Sequence, residues 1–98
     1  MGREQILELL RAHEQELKQA GIVHLQLFGS RARGDQRRDS DVDLLAVFDE
    51  GRRLSALEVV GLELKLSDLL GFPVELSEEG SLKPCVKLRV EVEALRAF

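Results

Sequence analysis

The chain has 98 residues, of which 44% are hydrophobic and 33% charged, and it carries a formal net charge of −4. That length and balance fit one soluble domain, residues 1–98, around a single core. They exclude a membrane span, because no apolar run approaches about 20 residues, and they argue against a surface that holds nucleic acid without regard to sequence.

The opening "MGREQILELL" is acidic and amphipathic, unlike a secretory signal. Arg3 to Ala20 is expected as one helix, because Ile6, Leu10, His13, Leu17 and Ala20 recur at steps of three and four. Gly21 suits its end. Ile22 to Phe28, "IVHLQLF", is β-branched, apolar and short, the profile of a strand with one partly polar face.

Gly29 to Ser40 reads as a polar loop with a helical turn near Ser30 to Gly34. Arg31, Arg33, Arg37 and Arg38 crowd into it. Asp41 to Phe48 is the second strand, apolar except for Asp41 and Asp43, as expected of a strand covered on both faces. Asp49-Glu50-Gly51 turns the chain.

Leu54 to Leu70 is a second long helix, opened by Ser55 and Glu58 at capping-box spacing. Its stripe of Val59, Leu62, Leu66 and Leu69 is widened by Leu57, Val60 and Leu64. Phe72 to Ser77, "FPVELS", is a third short strand, which Pro73 places at a strand start or a sheet edge. Pro84 to Ala97 closes the chain as a helix, with Cys85, Leu88, Val92 and Leu95 as its seam. The order is α-β-(short α)-β-α-β-α, an α/β (α+β) domain with a small three-stranded mixed sheet flanked by helices. Cys85 is the only cysteine, so no intrachain disulfide forms, which fits a reducing cytoplasm. With four Phe, no Trp and no Tyr, the chain lacks the aromatics of a protein that stacks single-stranded bases.

Two features carry chemistry. Residues i and i+2 of a strand share a face, so Asp41 and Asp43 would stand about 6–7 Å apart. Two like charges there resist burial. A hard divalent cation such as Mg²⁺, which takes one or two carboxylates and fills its shell with water and phosphates, would relieve the conflict. Gly29-Ser30, at the end of the first strand, can turn the chain and offer backbone amides to an anion. Either feature alone is ordinary, a solvated strand entrance or a simple turn. If the two strands are antiparallel, they meet at one end of the sheet. Metal and phosphate sites side by side imply a nucleoside triphosphate. Glu75, inside the third strand, is an acid that could reach the same pocket or simply face solvent at an edge.

Gly29-Ser30-Arg31-Ala32-Arg33-Gly34, followed by Ser40-Asp41-Val42-Asp43-Leu44, resembles the signature of the minimal nucleotidyltransferases. These are the smallest members of the DNA polymerase beta-like superfamily. The resemblance runs over essentially the whole chain. It implies that Asp41 and Asp43 hold Mg²⁺, that Gly29 and Ser30 bind the triphosphate, and that Arg31 and Arg33 offset its charge. It further implies that Glu75 is the third acid, binding metal or activating the attacking hydroxyl, although family members usually carry Asp there. The implied reaction is transfer of a nucleotide, AMP from ATP, to a hydroxyl with release of pyrophosphate. The implied partner is a HEPN-domain toxin whose tyrosine is the acceptor, with this chain as antitoxin. The alternative is a non-catalytic subunit that neutralises its partner by contact alone.

Overall fold

The computed structural model describes residues 2–35, 37 and 41–98. The chain runs through α1 (Arg3–Ala12), α2 (Glu14–Gln19), β1 (Ile22–Phe28), the one-turn α3 (Ser30–Arg33) and β2 (Val42–Phe48). It continues through α4 (Ala56–Leu70), β3 (Val74–Glu78), a 3-10 turn at Glu79–Ser81, α5 (Pro84–Glu93) and β4 (Leu95–Arg96). The expected mixed sheet flanked by helices is present, with one strand more than expected: among the described residues it has four strands in the order β3-β2-β1-β4.

The expected Arg3 to Ala20 helix is two helices, broken at His13. The His13 amide donates to the Leu10 carbonyl at 3.2 Å. Its ring Nδ1 lies 2.9 Å from the Leu9 carbonyl, the acceptor that an unbroken helix would give to the His13 amide. The side chain has taken the backbone's place, a known way to break a helix. Both halves still bury one stripe, through Ile6, Leu7, Leu10 and Leu17.

β1 and β2 are antiparallel, with Phe28 opposite Asp43, and β2 and β3 are parallel, with Asp43 beside Glu75. A bulge between Ile22 and His24 shifts the alternation of β1. Val23 is therefore exposed, although Leu25 and Leu27 on its nominal face are buried. One face of the sheet, carrying Leu25, Leu27, Val42, Leu44, Ala46, Val74 and Leu76, packs on α1, α2 and α4 to form the core. The register places Gln26, Phe28, Asp43, Leu45, Val47, Glu75 and Ser77 on the other face. α5 crosses that second face, since Val47 lines one cavity with Lys87, Val90 and Glu91.

α4 begins with the expected capping box, the Glu58 amide donating to Ser55 Oγ at 3.2 Å. It ends at Gly71 in the left-handed conformation. Its buried side is Leu62, Leu66 and Leu70, while Leu57, Val60 and Leu64 face solvent. β3 starts two residues later than expected, and β2 starts at Val42, leaving Asp41 just before it.

The end of the chain departs most from expectation. α5 stops at Glu93, and Leu95–Arg96 pairs with Gln26 and Leu27 of β1. The expected seam is also turned outward. Cys85, Leu88 and Val92 are exposed, while Val90 is buried. Val86 and Val90 form a second apolar stripe at helical spacing, so the spacing alone could not choose the inward side. The free edge of β1 explains the shorter helix. Leu25 donates to the Phe98 carbonyl at 3.2 Å and accepts from the Ala97 amide at 2.9 Å, satisfying backbone groups that a continued helix would leave unpaired. No helix among the described residues is long and apolar enough to cross a membrane.

Candidate active site

β1 ends at Phe28, and Gly29 turns the chain with φ 81° and ψ −155°, a conformation open chiefly to glycine. Space makes the same demand. A Cβ on Gly29 would stand 2.4 Å from Asp43 Oδ2 and 3.2 Å from its Cγ. The glycine thus lets the aspartate carboxylate lie directly against the turn. The turn is closed by Ala32 and Arg33 amides donating to the Gly29 carbonyl, and by Gly34 and Asp35 amides donating to the Ser30 carbonyl. The first amides of any helical turn find no acceptor inside the helix, and so point outward from its start.

Asp43 sits on the second face at the start of β2, with Glu75 in register on β3. Burial pushes the Asp43 carboxyl above its usual range, and the charge and hydrogen bond of Glu75 and the charge of Asp41 push it further, while Arg33 opposes. Glu75 thus stands on the same face as Asp43, and Asp41 lies two residues before Asp43, just outside β2. Among the described residues, no three acidic, His or Cys side chains are already drawn into a metal-holding group. The donor set is nonetheless all hard oxygen, and it is held in mutual repulsion, which suits Mg²⁺.

Arg31 and Arg33 part company. Arg31 is only 3% exposed, and its guanidinium stacks on the Phe72 ring at 4.2 Å from the centroid. That places it inside the protein, where the expected phosphate contact would need it at the mouth of the turn. Arg33 is exposed and bridges Asp35 at 3.1 Å and Glu93 of α5 at 3.2 Å. These partners hold its guanidinium more firmly protonated than usual. Arg37 is exposed. Arg38 and Ser40 lie outside the described residues.

Sequence reasoning missed the supports of the site. Phe72 packs under Arg31, and the Pro73 carbonyl accepts from the Val42 amide at 2.8 Å. This aligns β3 with β2 where Glu75 meets Asp43. Arg3 Nη1 donates to the Ala32 carbonyl at 3.0 Å, tying α1 to the turn. An aromatic before a proline was the only visible signal of the first support. Glu93 had none, since its partner is 60 residues away.

Residues 10–97 match the family model described as the nucleotidyltransferase domain. The protein adenylyltransferase MntA of Thermococcus cleftensis is 42% identical over 81 residues, 82% of this chain and 80% of that protein. A solved minimal nucleotidyltransferase is 39% identical with a TM-score of 0.71, over 97% of this chain and 95% of the other. A complex of a tri-AMPylated HEPN toxin with an MNT antitoxin from Shewanella oneidensis shares the fold. There the TM-score is 0.66 at 18% identity, over 94% of this chain and 71% of that one.

Proposed function

The chain belongs to the nucleotidyltransferase domain family, and from that premise we propose that it transfers AMP from ATP to a protein hydroxyl. The acceptor in this reading is a tyrosine of a HEPN-domain toxin, and the chain is the antitoxin. The observation that carries the reading is the seat of Asp43, pressed against Gly29 of the phosphate turn and in register with Glu75. The relatives named as protein adenylyltransferases support AMP as the group moved. The antitoxin fold found in a HEPN complex supports the partner.

Asp41 and Asp43 would hold Mg²⁺, with Glu75 as the third acid. Mg²⁺ bound there would offset the triphosphate charge and polarise the α-phosphate. Gly29 and Ser30 hold the β- and γ-phosphates on the amides of the turn and the serine hydroxyl. Arg33 exchanges its carboxylate partners for phosphate oxygens as pyrophosphate develops. Arg31 acts at one remove, fixing the turn against Phe72. The acceptor oxygen forms a bond to the α-phosphorus as the bond to the bridging oxygen breaks. Pyrophosphate leaves in line, and the hydroxyl proton passes to Glu75.

The test incubates the protein with Mg²⁺, ATP labelled at the α-phosphate and a HEPN-domain protein from the source genome. Label should move to the HEPN protein, and Asp41→Asn or Asp43→Asn should lower that transfer by about a hundredfold or more. Tight binding without transfer from any of the four common triphosphates would replace this reading with neutralisation by contact.

A further inference from the structure

β3 and β4 lie at opposite edges of the sheet, so the segment joining them must cross the sheet, and α5 makes that crossing. The helix is apolar on two sides. Val86 and Val90 turn inward, and Val90 is buried. Cys85, Leu88 and Val92 recur at steps of three and four on the outside, with Leu88 66% and Val92 86% exposed. α4 carries a second exposed stripe, Leu57, Val60 and Leu64. α4, however, packs through Leu62, Leu66 and Leu70 on the core face, across the sheet from Asp43.

Reaction geometry separates the two stripes. The attacking oxygen must come within about 3–3.5 Å of the phosphorus, so a protein acceptor has to settle along the face that holds Asp43 and Glu75. Of the two stripes, the one on α5 borders that face. The last turn of α5 is tied to the phosphate turn through Glu93 and Arg33 at 3.2 Å.

We propose that the outer side of α5, centred on Leu88 and Val92, is the docking surface for the protein that carries the acceptor hydroxyl. The proposal rests on the transfer reading above. It also specifies the partner's chemistry. Lys83, Lys87 and Arg89 are exposed along this helix, with Glu91 the one exposed acid among them. The complementary surface is therefore an apolar patch rimmed by carboxylates. On a chain of net charge −4, this basic flank also selects the side on which an acidic partner approaches.

The experiment compares Leu88→Glu/Val92→Glu on α5 with Leu57→Glu/Leu64→Glu on α4. All four side chains are exposed, and far-UV circular dichroism checks that each variant folds. Calorimetry measures binding to the same HEPN-domain protein, and fluorescent ATP reports the nucleotide site. The α5 variant should bind the HEPN protein about tenfold more weakly or worse and raise KM for it in the transfer assay, with ATP binding unchanged. The α4 variant should match the unmodified chain. Maleimide labelling of Cys85, the only cysteine, should slow in the complex.

Undiminished binding by the α5 variant, unprotected Cys85 in the complex, or an unmodified chain that does not bind the HEPN protein would each overturn the proposal. Binding that protects Cys85 and needs Leu88 and Val92, but yields no nucleotide transfer, supports the docking surface and sinks the transfer reading alone.

Discussion

Asp43 shows how one residue can be costly to the fold and, in the proposed reaction, necessary to the site. Its carboxyl is raised by burial, by Glu75 and by Asp41, so the folded chain holds the Asp43 proton more tightly than the unfolded chain does. The sign follows from linkage. The stabilisation that comes with this proton is complete below the ordinary aspartate value of about 3.9. It is lost as pH rises through the higher folded value. In EDTA, the melting temperature of the unmodified chain should fall across that window. Asp43→Asn should flatten the slope and melt higher above it. A mutant that melts lower throughout would mean that Asp43 is held by favourable contacts and not by repulsion. Gly29 is constrained just as tightly for an unrelated reason, since any side chain there would occupy the volume of the Asp43 carboxylate.

At the scale of elements, the informative piece is the end of the chain. "EALRA" favours helix by composition, yet it leaves α5 at Glu93 and forms β4. The edge of β1 offers hydrogen bonds that local propensity cannot match. Arg11 reinforces the choice, donating from Nε to the Ala97 carbonyl at 2.8 Å and from Nη2 to the Arg96 carbonyl at 3.0 Å. Arg11→Ala should cost about 1.5–3 kcal/mol, the range for hydrogen bonds that involve a charged group. Faster amide exchange in Leu25 and Ala97 should accompany the loss. Unchanged exchange would show that the strand pairing holds β4 without Arg11. His13 makes the converse point in the first helical region. A side chain that satisfies one carbonyl was enough to divide a seam whose apolar spacing runs on without a break.

For the molecule as a whole, the candidate site exists only where β1, α3, β2 and β3 come together, so its ligands bind the folded chain and not the unfolded one. Mg²⁺ with a non-hydrolysable ATP analogue at 100 times its dissociation constant should add about 2.7 kcal/mol. For a chain of this size that is a melting-temperature rise on the order of ten degrees. The rise should vanish in EDTA and in Asp41→Asn. A rise that survives both would place the nucleotide elsewhere. The sequence by itself determined the mixed sheet with its helices, the glycine turn and the capped α4, and it nominated residues for the site, because each of these depends on local stereochemistry or on a short motif. Tertiary structure alone decided the rest. It placed Glu75 on the face of Asp43, because the parallel register of β2 and β3 is set by strands joined through α4. It took Arg31 out of the mouth of the turn, because Phe72 lies 41 positions further along the chain and offers a half-buried ring to a guanidinium. It chose which side of α5 faces out, because two apolar stripes of similar strength share that helix, and only the sheet beneath it favours one over the other.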